Sequence, residues 1–333
     1  MTGARASCGC RIDLAGGTFD IWPLGLLFPG AVTVNVALEL PVTVEIRPRA
    51  AGYELIDPDA GSRRADSLDE LAAEPATALF GYLGRALELP PCSLRVTSAS
   101  PRGAGLGASS SLGVALVAAA DRWLARPDRP PEATARLVRD VEAQLMGWPT
   151  GIQDHYPALL GGALVLEYLP GGERVRELGV DLEALGRHLV LAHSGQSHLS
   201  GRTNWGVVRG CLDGDPGVRG LFTGIVDVAS RLPPALEAGD WPRVGALVGE
   251  EWALRRQLAE GVSVPAVERL LEAARARGAW GGKPGGAGGG GCVAILVPES
   301  RRQEIEDAVR GAGGEILEAR PTRRGVQVET LEL

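Results

Sequence analysis

The 333-residue sequence has a single lysine, Lys283, and carries the rest of its basic charge on arginine. A bias toward GC-rich codons produces such a pattern, so the lone lysine only marks a position to follow. No block of Lys and Arg occurs, charges of both signs are interspersed, and the net charge is −7. The basic stripe that a nucleic-acid partner needs is absent. No apolar stretch is long enough to span a bilayer, and the first residues lack the apolar core of a signal peptide, so no membrane partner is expected. The five cysteines (Cys8, Cys10, Cys92, Cys211, Cys292) are odd in number and have neither disulfide nor zinc spacing. Cys8 and Cys10 make a C-x-C with no second half. A reducing cytoplasm fits this usage.

What is present is an ordinary globular composition, 45% hydrophobic and 23% charged, at a length that suits two domains. Residues 31–47 alternate and are rich in β-branched side chains, which predicts strands broken at Pro41. Helical spacing runs over 64–87. A strand at 93–98 leads into a glycine-rich turn, followed by helices over 109–125 and 133–146 with a proline-rich break between them. Strands are expected at 162–168 and 187–193. The link between them is the expected boundary, dividing residues 1–172 from 173–333. Three amphipathic helices follow near 218–232, 240–260 and 264–277. After the run Gly281–Gly291 come a strand at 292–298, a helix at 300–312 and a last strand at 324–332. No internal repeat is visible. Without a regular βαβα alternation, the class is α+β.

The turn PRGAGLGASSS (101–111) follows a strand and opens a helix. Glycines there let the backbone approach an anion, and the free amides of the helix start favour phosphate. The serine hydroxyls add hydrogen bonds or one ligand to magnesium. Three readings fit: a serine-capped turn, a dinucleotide site through Gly103, Gly105 and Ala108, or a nucleotide-phosphate loop. The second lacks the following strand with its acidic residue, and the third is of a non-Walker type because no lysine is present. Glu142 lies late on the next helix and Asp154 follows a Gly-Trp-Pro-Thr-Gly turn. Phosphoryl transfer uses one carboxylate on metal and one at the attacking hydroxyl, although the spacing alone favours a surface Glu and a turn-capping Asp. The run GGKPGGAGGGG (281–291) has a linker's composition, but it contains no serine and joins a helix tightly to a strand. Such a run suits backbone pressed against a ligand or another loop.

In order along the chain, CRIDLAGGTFD (10–20), PRGAGLGASSS (101–111), TGIQDHYPALLGG (150–162) and GGKPGGAGGGGC (281–292) resemble the motifs of the GHMP kinases. The resemblance covers nearly the whole chain. It implies an N-terminal domain like ribosomal S5 domain 2, a ferredoxin-like C-terminal domain, and use of ATP with Mg2+ on a small-molecule acceptor. It implies that Pro101, Gly103, Gly105, Leu106, Gly107, Ala108, Ser109, Ser110 and Ser111 wrap the phosphates, and that Ser109 and Glu142 hold magnesium. Asp154 would be the catalytic aspartate, with Arg11 beside it lowering its pKa. Gly17, Thr18 and Asp20 would join Asp154 in binding the acceptor, and Gly285, Gly286, Ala287, Gly288 and Gly289 would form the third loop. Three positions depart from the pattern. Gly9 replaces a proline, Ala108 replaces the first serine of a pair, and Gly17-Thr18 replaces the galactokinase Glu-His, which puts galactose in doubt.

Within the family, the first motif, the Gly-x-Gln-Asp run, LAHSGQSHLSG (191–201) and residues 250–283 resemble the sugar-1-kinase branch acting on heptose 7-phosphate and fucose. An anomeric hydroxyl of a sugar or sugar phosphate is then the expected acceptor. His193, Ser194 and His198 are further pocket candidates, and Arg202, Arg255 and Arg256 are candidates for seating an acceptor phosphate. Two other readings keep the fold: a mevalonate-pathway kinase or decarboxylase, and a non-catalytic nucleotide or sugar sensor.

Overall fold

The structure, a computed structural model, describes residues 2–58, 61–196 and 200–332, with side chains described from residue 204 in the last segment. The chain opens with the long strands β1 (Thr2–Ala15) and β2 (Val32–Pro48). The hairpin β3 (Tyr53–Asp57) and β4 (Gly61–Ala65) follows, and two short helices, Leu68–Ala73 and Ala78–Ala86, lead to β5 (Cys92–Ser98). Helices Ala108–Trp123, Pro131–Met146 and His155–Leu160 come before the hairpin β6 (Ala163–Leu169) and β7 (Gly172–Glu177). The rest contains β8 (Leu189–His193), β9 (Gly281–Pro284), β10 (Cys292–Leu296), β11 (Glu315–Ile316) and β12 (Gln327–Glu332). Between β8 and β9 run helices Ser200–Leu212, Pro216–Glu237, Trp241–Arg255 and Pro265–Ala276.

One sheet has eight strands, ordered β12-β1-β2-β5-β3-β4, with β6 on β2 and β7 on β6. The other has four, ordered β11-β8-β10-β9. Strands and helices are mixed without a doubly wound pattern, as an α+β class requires. No helix among the described residues is long and apolar enough to cross a membrane.

Three expectations change. The break at Pro41 does not occur, because β2 changes neighbours there. It pairs with β6 through Val32–Val36 and with β5 through Val42–Pro48, while its register on β1 shifts between Cys8 and Cys10. A proline at this handover has no N–H to leave unpaired, and its carbonyl accepts from the Ala99 amide at 2.9 Å. The helical reading of 64–87 resolves into an edge strand and two helices parted at Pro75, which disfavours helical backbone at Glu74. The division between 172 and 173 falls at the turn of the β6–β7 hairpin, and β12 returns to the first sheet beside β1. We propose a boundary after Glu177, with the last strand belonging to the first unit.

The two sheets share one apolar core. Cys10, Ile12, Val34 and Val36 pack in the same cluster as Leu189, Leu191, Val244 and Leu247. Each such side chain contributes about 1.5–3 kcal/mol on burial, so the two walls of the cleft between the sheets are held in fixed register.

Candidate active site

A cleft of ≈ 520 Å³ opens between the turn after β5, the loop joining β9 to β10, and the chain at and following the end of β1. The turn's glycines Gly103, Gly105 and Gly107 all take left-handed backbone, with φ of 67°, 70° and 73°. Gly107 caps helix Ala108–Trp123 without any side-chain cap, so its first amides face the cleft free to bind an anion. The loop is held from both sides. Arg11 donates from Nη1 to Gly105 O at 2.6 Å and from its backbone N to Leu106 O at 2.9 Å, while the Cys292 amide donates to Ala104 O at 2.7 Å.

Arg11 also meets Asp154. Its Nε donates to Asp154 Oδ1 at 2.8 Å, and its Nη2 lies 2.6 Å from the same oxygen. A Cβ at Gly107 would stand 3.2 Å from the Asp154 carboxylate, so only glycine brings the phosphate loop this close. Beneath lies a pair that sequence reasoning missed. Asp13 is fully buried; its Oδ2 accepts from Lys283 Nζ at 2.5 Å and its Oδ1 from the Gly286 amide at 2.6 Å, with Arg11 Nη1 3.9 Å away. Burial opposes ionisation of Asp13, but Lys283 and then Arg11 hold its carboxyl down at about 2. The solitary lysine was the one available signal.

Glu142 is buried and binds on two sides. Ser110 Oγ donates to Oε1 at 2.8 Å, and His155 Nε2 meets Oε2 at 3.1 Å. His155 Nδ1 faces the Ile152 carbonyl at 3.1 Å. Both ring partners are acceptors, so both nitrogens carry protons. Burial opposes that charge, and the Glu142 carboxylate outweighs it, raising the His155 pKa. The expected partner of Glu142, Ser109, is instead exposed in the first helical turn, lining the same cleft. Ser111 turns away altogether and donates to Gly9 O at 2.9 Å, because its place on the helix faces β1.

No group of three or more His, Cys, Asp or Glu among the described residues is arranged to hold a metal. Magnesium does not need one, since it is ordinarily held by one or two carboxylates together with substrate phosphates and water. A carboxylate and serine hydroxyls beside free helix amides are hard oxygen donors of that kind. Cys8 and Cys10 are no metal pair: burial pushes both thiols up, and Cys8 Sγ donates to Ser111 O at 3.1 Å.

At the far end, Asp20 Oδ2 accepts from the Gln153 amide at 3.1 Å, and a Cβ at Gly151 would overlap that oxygen at 1.8 Å. Burial first, and the Asp154 charge second, raise the Asp20 pKa to about 6. Thr18, Asp20, Gln153 and Asn204 line the cleft, but Gly17 does not. The Gly17 carbonyl is held from behind by Arg255 Nη2 at 2.8 Å. Gly289 is likewise outside the lining, its amide donating to Val262 O at 2.7 Å, while Gly285, Gly286, Ala287 and Gly288 are within it. Arg255 is 1% exposed and binds protein acceptors, so it cannot seat a phosphate. Arg256 points to Glu268 at 3.0 Å, and His193 and Ser194 are absent from the cleft lining. His198 and the side chain of Arg202 lie outside the described residues.

A cleft floored by a glycine loop at a helix start, with a buried arginine on an aspartate beside it, defines a phosphate-handling enzyme. Residues 72–162 match the GHMP kinases N terminal domain and residues 234–315 match GHMP kinases C terminal. The chain is 30% identical over 278 residues to a mevalonate kinase from Methanothermobacter thermautotrophicus, covering 80% of this chain and 83% of that one. It is 26% identical over 350 residues to a D-glycero-alpha-D-manno-heptose 7-phosphate kinase from Campylobacter jejuni, covering 98% and 99%. In structure it is similar to a D-glycero-D-manno-heptose 1-phosphate kinase from Bacteroides thetaiotaomicron, with a TM-score of 0.76 at 22% identity over 98% of each chain. The chain belongs to the GHMP kinase family. It is an ATP-binding phosphotransferase with an alcohol group as acceptor.

Proposed function

We propose that this kinase phosphorylates a sugar or sugar phosphate, at the anomeric hydroxyl, with magnesium as cofactor. The observation that carries the proposal is the Arg11–Asp154 pair set against Gly107, which puts a carboxylate and a guanidinium at the edge of an anion-binding helix start. In this reading the free amides of the 101–110 turn bind the phosphates. Glu142 and the serine hydroxyls would hold magnesium, which offsets phosphate charge when bound. Asp154 orients and polarises the attacking hydroxyl, and Arg11 meets charge that develops on the transferring group. Asp20, Gln153 and Asn204 supply polar contacts for a hydroxyl-rich acceptor, with Thr18 hydrogen-bonded to Asn204 beside them. The near full-length similarity to a heptose 7-phosphate kinase supports the sugar reading.

A second reading, a mevalonate kinase, is favoured by the 30% identity to an archaeal enzyme of that name. A coupled ADP-release assay against free sugars, sugar phosphates and mevalonate separates the two. Turnover with a sugar and none with mevalonate is expected, and the reverse would overturn the sugar reading.

The pH dependence offers a further check. Asp20 binds a hydroxyl proton only when ionised, and its raised pKa puts that transition at about 6. Acceptor kcat/KM is expected to fall as the pH drops through about 6, by about tenfold per unit once Asp20 is mainly protonated. Asp20→Asn should show lower kcat/KM at pH 8 and lose this limb. A limb that persists unchanged in Asp20→Asn would assign it to another group.

A further inference from the structure

We infer that Asn204 contacts the acceptor, and that its orientation is set through Thr18 by the buried pair Arg255–Glu251. This rests on the kinase reading proposed above and names a specificity residue within it.

Arg255 ends helix Trp241–Arg255 facing inward, beside a Glu251 of 0% exposure. A guanidinium has five N–H donors and no acceptor. Here Nε donates to Glu251 Oε1 at 2.8 Å, Nη2 to Gly17 O at 2.8 Å and Nη1 to Thr18 Oγ1 at 3.1 Å. Glu251 Oε1 also takes the Gly16 amide at 3.3 Å, so the pair grips three successive residues of the first motif. Thr18 takes left-handed backbone, φ 81°, which costs a residue with a Cβ about 1–2 kcal/mol. The strain is held by a buried ion pair at the cleft wall, where strained backbone tends to serve binding.

Because Thr18 Oγ1 accepts from Arg255, it has one proton left to give. Among the described residues, the acceptor it meets is Asn204 Oδ1 at 3.1 Å. Turning the Asn204 amide over would leave the Thr18 proton without a partner at a site only 3% exposed, a loss of about 1–3 kcal/mol. Oδ1 therefore faces Thr18, which leaves the NH2 of Asn204 as a donor on a cleft that Asp20 also lines. One fixed donor and one fixed acceptor suit an acceptor hydroxyl, which both gives and takes a hydrogen bond. Glu251 and Arg255 are positioning residues; Asn204 is the contact.

The experiment uses the acceptor that the wild type turns over in the panel above. Asn204→Ala is expected to raise its KM about tenfold while leaving KM for ATP and Tm near wild type. Thr18→Val should reproduce the effect through the lost relay, and Thr18→Ser should restore wild-type KM. Across a monodeoxy series, the hydroxyl whose removal raises wild-type KM about tenfold should have no effect on Asn204→Ala. An unchanged acceptor KM in Asn204→Ala, or a Thr18→Ser no better than Thr18→Val, overturns the relay. A wild type that phosphorylates mevalonate and no sugar overturns the sugar reading instead, and the same comparisons run on mevalonate still decide the role of Asn204.

Discussion

Asp154→Asn is expected to lower kcat by about 10³-fold and to leave KM for ATP nearly unchanged. The substitution keeps size, so the side chain still fits against the bare backbone of Gly107, where a Cβ would already stand 3.2 Å from it, and the phosphate loop stays in place. What is lost is a carboxylate with one oxygen for Arg11 Nε and a second to accept a hydrogen bond from the acceptor hydroxyl. An asparagine oriented toward Arg11 presents an NH2 to the acceptor hydroxyl, and one turned the other way presents NH2 to a guanidinium. Either arrangement loses one of the two interactions. Arg11→Met differs in kind, because Arg11 also anchors Gly105 O at 2.6 Å. That variant should lose kcat and raise KM for ATP together. Steady-state ADP release at saturating acceptor checks both. If Asp154→Asn keeps wild-type kcat, Asp154 has no part in the chemistry.

The parts of this site that were legible in the sequence are those carried by local backbone demands. Gly103, Gly105 and Gly107 announce positive φ, and the serines after them announce a helix start, because both signals lie within a few residues of one another. Asp154 was singled out by the resemblance of its segment, since its place after a turn alone favours a capping aspartate. Contacts across the chain were not legible. Ser109 and Ser110 are adjacent and chemically alike, and only their angle around the helix decides that Ser110 meets Glu142. Arg255 and Arg256 read alike as charges on a helix, yet one faces solvent and Glu268 while the other faces carbonyl, hydroxyl and carboxylate acceptors supplied from elsewhere. The strand β4 escaped notice because an exposed edge strand, GSRRA, has no buried face and so no alternation to detect. The glycine run 281–291 looked unlike a linker, and its first four residues do pair as a strand with β10. What pins the next turn is Asp13, 273 residues away from Gly286.

That distant contact carries the second large effect. Lys283→Met is expected to destabilise the protein by about 3–5 kcal/mol, because it removes the hydrogen-bonded partner of a fully buried charge and leaves Asp13 only the more distant Arg11 as an ion-pair partner, 3.9 Å away. The corresponding fall in Tm is on the order of 10 °C. The sign with pH follows from the depressed pKa of Asp13. In the wild type its contribution to stability is present above the ordinary carboxylate pKa of 3.8 and is lost as the pH falls through about 2. Without Lys283 the carboxyl loses its strongest stabilising partner, so the variant should be relatively less unstable in acid than at neutral pH. The double variant Asp13→Asn with Lys283→Met removes both charges and keeps an oxygen for the Gly286 amide, so it should be more stable than Lys283→Met alone. Activity distinguishes a positioning role from a purely structural one. An uncompensated Asp13, 3.9 Å from Arg11, competes with Asp154 for the guanidinium. Lys283→Met should therefore lose kcat per folded molecule, measured well below its Tm, and the double variant should recover it. Should Lys283→Met keep full kcat while melting early, the pair holds the fold together and leaves Arg11 where it is.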